Sequence, residues 1–245
     1  MTALLHALTG IRCAGTLERL TCCVCSAAPL RSSLSSCMPQ RAYHECLWEG
    51  MPEGREPADF ALRSRFLLEH ARAGQRVLDV GCGEGRFAAE LAGIGAEVVG
   101  IDVAEEPLRR ARALHPQLDL RLVQADGSWD LPDASFDVVW AGEVIEHVLD
   151  TAGWLSEIRR VLRSGGSLLL STPAHGPLTL LRLALSRHAF AEHFDPHSDH
   201  LRFYSSATLT TLIEEFGFEQ LSVVPAGGLP GARRLLLLRA IRSRF

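Results

Sequence analysis

The sequence predicts an α/β protein, a doubly wound and mostly parallel sheet with helices on both faces. Three observations carry that expectation. The 245 residues, 47% hydrophobic and 22% charged, can build the core of an ordinary enzyme domain. From residue 58 onward short apolar runs alternate with amphipathic stretches, the β-α-β pattern of a parallel sheet. The chain then closes with two apolar runs joined through GGLPG, which read as an antiparallel pair.

The elements follow in order. Residues 58–73 (ADFALRSRFLLEHARA) set Phe60, Phe66, Leu67 and His70 at helical spacing, and Gly74 ends the helix. RVLDVG reads as a strand, GRFAAELAGIG as a helix and AEVVGID as a strand. EEPLRRARALH is a helix, and LDLRLVQAD and FDVVWAGE are strands, with Trp140 in the core. TAGWLSEIRRVLRSGG is expected as one helix closed by its glycines, ahead of the strand SLLLSTP. GPLTLLRLALSRHAF, within an insert at about 174–200, places Leu178, Leu181, Leu185 and Ala189 at helical spacing with Arg182 and Arg187 among them. Its simplest reading is a core-packing helix. The same stretch also suits a lid over a substrate, or a helix dipping into a membrane surface. SATLTTLIEEFG is a further helix, and FEQLSVVP and RRLLLLRA form the closing pair.

Composition excludes several classes. A formal net charge of -4, from 25 basic and 29 acidic residues, argues against bulk attraction to nucleic acid or anionic lipid. No apolar run approaches the roughly 20 residues that span a bilayer, so a cytoplasmic protein is expected. Every basic residue is Arg, and with no Lys there is no Schiff base and no phosphate-loop lysine. Six of the seven Cys (Cys13, Cys22, Cys23, Cys25, Cys37, Cys46) precede residue 47, and the odd total argues against a secreted disulfide framework. Residues 1–50 therefore read as a separate leader. It is disordered, transit-like and compatible with organellar import, or translated from upstream of a start at Met38 or Met51; Cys22, Cys25, Cys37 and Cys46 are nominal zinc ligands. Residues 51–245 read as the working domain.

In such a sheet a ligand sits outside the carboxyl ends of the strands. Here those ends carry Asp79-Val80-Gly81-Cys82-Gly83-Glu84-Gly85, then Asp102-Val103, then Asp126-Gly127, then Glu143. Glycines let the backbone approach a ligand, and Asp102 is placed for ribose hydroxyls. The spacing G-x-G-x-G differs from the G-x-G-x-x-G of dinucleotide binders. An Asp two residues before the first glycine would repel a pyrophosphate and hold a cationic amino group. With Asp126 suited to an adenine amino group, the set favours a nucleoside carrying an amino acid. Trp129 stands beside that loop, able to flank such a ligand.

VLDVGCGEGRFA, VVGIDVAEEPLRRAR, QADGSWDLPDASFDVVWAGEVIEHV and RRVLRSGGSLLLSTP together resemble the class I S-adenosylmethionine-dependent methyltransferases over roughly residues 60–240. The resemblance implies a Rossmann-like seven-stranded sheet of order 3-2-1-4-5-7-6 with the last strand antiparallel. It implies S-adenosylmethionine as cofactor. Asp79, Gly81, Cys82 and Gly83 would hold its methionine part, Asp102 and Val103 the ribose, Asp126 and Gly127 the adenine, with Glu143 also in contact.

Glu143-Val144-Ile145-Glu146-His147 follows a strand end, and residues 173–204 hold His175, His188, His193, His197 and His200. A hydroxyl acceptor needs a general base or a metal, so Glu146, His147 and His200 are the catalytic candidates. EVIEHV with a later DHLRFYS resembles the small-RNA 3′-end 2′-O-methyltransferases, which implies Glu143, Glu146, His147 and His200 as ligands to magnesium or manganese. It also resembles the ubiquinone-biosynthesis O-methyltransferases. The favoured expectation is O-methylation of a small-molecule acceptor. A metal-dependent RNA 2′-O-methyltransferase needs a basic stripe, yet Arg109-Arg110-Arg112 and Arg159-Arg160-Arg163 lie on flanking helices, so nucleic acid is not the expected partner. A non-catalytic nucleotide-binding module is the reading of another class.

Overall fold

The computed structural model describes residues 38–125, 127–195, 198–229 and 232–244. Cys13, Cys22, Cys23, Cys25 and Cys37 of the leader, Asp126, which was expected to meet the adenine, and His197 lie outside the described residues. The chain runs α1 (Met38–Gly50), α2 (Phe60–His70), β1 (Arg76–Val80), α3 (Arg86–Gly93), β2 (Glu97–Asp102), α4 (Glu105–Leu114), β3 (Asp119–Leu122) and β4 (Phe136–Gly142). A 3₁₀ turn (Ile145–His147) leads to α5 (Thr151–Val161), β5 (Leu162–Pro173), α6 (Pro177–Leu185), α7 (Arg187–His193), α8 (Ser206–Glu215), β6 (Phe218–Leu229) and β7 (Ala232–Arg242).

The seven strands lie in the order β3-β2-β1-β4-β5-β7-β6. Pairing is parallel from β3 through β5, and β7 is antiparallel to both β5 and β6. This is the expected topology. Alternate residues of a strand point to opposite faces, so a strand apolar at every position needs cover on both sides. Leu78, Val80, Val139, Leu168, Leu170, Leu236 and Leu238 meet Trp154, Leu155 and Ile158 of α5 and Leu209 and Ile213 of α8. The intervening Val77, Val138, Trp140, Leu169, Leu235 and Leu237 meet Phe66 and Leu67 of α2 and Phe87 and Leu91 of α3. Each fully buried side chain of this size contributes roughly 1.5–3 kcal/mol.

Four expectations are corrected. The helix after residue 150 stops at Val161, and Leu162 already pairs with Phe136. The glycines form a bulge inside β5, where a Cβ on Gly166 would lie 3.1 Å from the Asp137 carbonyl oxygen. Residues 38–50, grouped with the leader on composition, are helical, and a compact unit spans Pro39–Phe245. The Leu178, Leu181, Leu185 stripe does not pack into the core; α6 buries Leu183 and α7 buries Ala189. α6 is apolar nearly all round, so periodicity could not select its inner face. Trp129, expected beside the ligand, is buried in the core, its backbone N–H donating to Glu157 and its carbonyl accepting from Arg160. Among the described residues no helix is long and apolar enough to cross a membrane.

Candidate active site

β1, β2, β4 and β5 are parallel, so their carboxyl ends share one edge, and the chain's direction of winding switches between β1 and β4. The loop after β1 is pinned to β2 by Gly81 N and Cys82 N, which donate to the Ile101 carbonyl at 2.8 and 3.0 Å. Gly81 has φ +69, and a Cβ there would stand 2.5 Å from Val144 Cγ2. No side chain fits. Asp102, at the end of β2, accepts from Gly83 N through Oδ2 and from Ala104 N through Oδ1, both at 3.0 Å. Two donors leave a carboxylate room for ribose hydroxyls. Cys82 turns its thiol away from the crevice into a small core with Leu108, Ala111 and Leu120, and only its backbone remains for a ligand. Val103 is half-buried and Gly127 exposed.

Asp79 is buried, and its Oδ2 has no hydrogen-bond partner among the described residues. Burial pushes its carboxyl up to about 8, against the pull of the nearby Arg63 guanidinium. Arg63 of α2 was not singled out by sequence reasoning. It is only 3% exposed, donates to the Ala58 carbonyl, and lies 4.8 Å over the Phe87 ring. Burial lowers its pKa, opposed by Glu143, Glu146 and Asp79. The available signal was position: Arg63 stands three residues after Phe60 and four before Leu67, on the stripe that packs against the sheet.

α1 was missed as well. Glu45 accepts from Glu105 N and Glu106 N at 2.6 and 3.0 Å, capping α4, whose own first position is Ala104. Trp48 lies over the glycine loop, 3.0 Å from where a Gly83 Cβ would be. Arg110 holds the carbonyls of Trp48 and Met51 and pairs with the buried Glu84 of the loop. Arg109 and Arg112, with Arg160 and Arg163, are likewise paired with acids.

On the other side of the crevice the structure brings Glu146, His147 and His200 together, with one ligand atom of each within 4.8 Å of the others. Glu146 is 1% exposed; Oε2 accepts from Thr172 Oγ1 at 2.9 Å, and Oε1 has no hydrogen-bond partner among the described residues. Burial, then repulsion from Glu143, raise its carboxyl well above the usual range. His147 Nδ1 faces the Asp199 carbonyl at 3.0 Å and its carboxylate at 3.3 Å. The His147 and His200 rings are 4.9 Å apart, and burial lowers both, so both are neutral at pH 7. Glu143 stands outside this group, in a left-handed conformation (φ 58) with Oε1 accepting from Ser171 Oγ at 3.0 Å. His175 and His193 pack together with Phe203, and His188 is exposed and paired with Glu192.

A profile of the family described as Methyltransferase domain matches residues 51–223. The chain belongs to the class I S-adenosylmethionine-dependent methyltransferases. A protein of Mycolicibacterium smegmatis, named as a probable S-adenosylmethionine-dependent methyltransferase, is 40% identical over 154 residues, covering 62% of this chain and 55% of that protein. The ubiquinone biosynthesis O-methyltransferase of Thiobacillus denitrificans is 36% identical over 166 residues, covering 64% of this chain and 71% of that one. The chain thus matches little more than half of the first relative's length. The phosphoethanolamine N-methyltransferase 2 of Haemonchus contortus, solved with S-adenosyl-L-methionine, shares the fold at TM-score 0.63 and 17% identity, over 85% of this chain and 58% of that one. S-adenosylmethionine is the cofactor of this methyltransferase class, and the crevice fits it: bare glycines, a buried carboxyl with one oxygen unpartnered among the described residues, and a buried guanidinium suit an amino acid joined to a nucleoside.

Proposed function

We propose that this methyltransferase transfers a methyl group to a hydroxyl of a small-molecule acceptor, using a histidine base. When bound, S-adenosylmethionine supplies an activated methyl on a sulfonium. Asp79 holds the ammonium and Arg63 the carboxylate of its methionine part, while Gly81 and Gly83 admit it to the backbone. Asp102 with Val103 takes the ribose, Asp126 with Gly127 the adenine. Displacement at carbon is in-line, so these contacts work by orientation. On the acceptor side Asp199 holds His147 with its proton on Nδ1, which makes Nε2 the basic nitrogen. His147, with His200 beside it, takes the hydroxyl proton as the acceptor oxygen attacks. The observation that carries this reading is the grouping of His147 and His200 with the buried Glu146, with His147 Nδ1 held by Asp199.

The test is release of S-adenosylhomocysteine from the full chain with a panel of phenols, alcohols and amines. Turnover confined to hydroxyl acceptors is expected; turnover on amines alone would overturn the O-directed assignment. A second reading rests on the same cluster. Glu146, His147 and His200 suit magnesium or manganese, which would acidify a bound hydroxyl. Calorimetric titration with Mn²⁺, lost in Glu146→Gln, would favour it over the metal-free base.

A further inference from the structure

α1 precedes residues 51–223, the span that matches the methyltransferase profile, yet its side chains reach both halves of the crevice. It is anchored on the cofactor half. Glu45 accepts from Glu105 N and Glu106 N at the start of α4, and Arg110 donates to the carbonyls of Trp48 and Met51. Trp48 then lies over Gly83. His44 stands four residues before Trp48, so one helix face carries both, roughly 6 Å apart along the axis. The half-buried His44 ring meets His147 edge-on, with centroids 6.4 Å apart and planes at 88°.

The other neighbours of the His147 ring come from a loop. Asp199 faces Nδ1 with its carbonyl and its carboxylate, and the His200 ring lies 4.9 Å away. Both residues sit between α7 and α8, outside any helix or strand. A group carried on a helix holds its place more closely than one carried on a loop, and His44 supplies that wall. Burial lowers the His44 pKa, against the pull of Asp199, so at pH 7 its ring meets His147 as a neutral aromatic surface. The consequence concerns the proton. A neutral imidazole that can turn exchanges its proton between two nitrogens, and the hydrogen bond made by one of them selects the tautomer. Asp199 can select Nδ1–H only while the ring stays against it.

We propose that His44 is a positioning residue for methyl transfer: packed from α1 onto the His147 ring, it keeps Nδ1 against Asp199 and Nε2 free of its proton. This rests on His147 as the base. The experiment is nitrogen-resolved NMR of the full chain with isotopically labelled histidine, His147 being identified by the signals missing from His147→Gln. The wild-type chain should show His147 with a protonated Nδ1 and a well-separated, unprotonated Nε2. In His44→Ala the two nitrogen shifts should converge as the tautomers exchange. S-adenosylhomocysteine affinity should stay unchanged there, since Glu45 and Arg110 still hold α1. His44→Phe, which keeps a ring, should restore the separation. A protonated Nε2 in the wild-type chain would overturn the base assignment and this proposal with it. Separate nitrogens retained in His44→Ala would overturn the proposal alone. Weakened S-adenosylhomocysteine affinity in His44→Ala would also overturn it, making His44 a support of α1. A His44→Phe spectrum like that of His44→Ala would do the same, by moving the role to the imidazole nitrogens.

Discussion

On the β1–β2 side of the crevice the working groups are held by backbone. Gly83 N and Ala104 N grip Asp102, and the Ile101 carbonyl grips the glycine loop. On the β4–β5 side they are held by side chains and loops from distant segments. Thr172 fixes Glu146, Asp199 fixes His147, and His44 of α1 reaches the His147 ring edge-on. The first arrangement demands particular residues at fixed spacing, so it leaves a motif. The second can be met by many sequences, so it tolerates the variation that lets one fold serve different acceptors.

The largest effect should come from breaking the backbone grip. Asp102→Ala strips the proposed ribose partner and orphans two N–H groups, each worth about 1–3 kcal/mol. Calorimetry should show S-adenosylhomocysteine affinity down by at least about 1000-fold, with a lower melting temperature. Retained affinity would remove the ribose role. Across the crevice, His147→Ala should cut kcat by about 10²–10⁴-fold and leave S-adenosylhomocysteine affinity unchanged. A parallel loss of both would make His147 structural and erase the contrast between the two sides.

Asp79 sharpens the comparison through pH. Its folded pKa of about 8 exceeds the ordinary carboxyl value, so the ligand-free chain gains stability from Asp79 below the ordinary value and loses it as pH rises through 8. Asp79→Asn should therefore raise the melting temperature of the ligand-free chain at pH 8 while weakening S-adenosylhomocysteine by about 10–100-fold. The wild-type chain should release about one proton on binding at pH 7, seen as a dependence of the calorimetric enthalpy on buffer, because the ligand's ammonium favours the ionised carboxyl. No buffer dependence would place the ammonium elsewhere.

A smaller effect is expected from α1. Removing residues 1–50 takes away the Glu45 cap, worth about 1 kcal/mol, and the Trp48 cover, and should weaken S-adenosylhomocysteine about tenfold against removal of residues 1–37. Equal affinities would return residues 38–50 to the leader. Smallest of all, Leu183→Ala should raise hydrogen exchange in residues 177–193 while leaving cofactor affinity unchanged, since α6 stands on that side chain. Loss of cofactor affinity would show the two sides to be coupled.

Much of the fold was legible because burial on both faces of a parallel sheet writes apolar runs at fixed intervals. The glycine loop and Asp102 were legible because left-handed backbone and close approach admit few residues. Arg63 was not. An arginine among apolar helix positions looks like a solvated residue until the neighbouring acids are seen around it. Nor could spacing show which glutamate of Glu143-Val144-Ile145-Glu146-His147 joins the histidines, because the left-handed turn at Glu143 sends it to Ser171 and leaves Glu146 with His147 and His200.

By itself the sequence determined the sheet, its order of elements, the cofactor class and the backbone cradle, all set by short-range spacing and by conformations few residues can adopt. Only the tertiary structure decided the position of α1, the burial of the Arg63 guanidinium among acids, the grouping of Glu146, His147 and His200, and which face of α6 turns to solvent. Those depend on contacts between segments far apart in the chain, and on the choice among helix faces that are equally apolar. Local pattern carries no record of either.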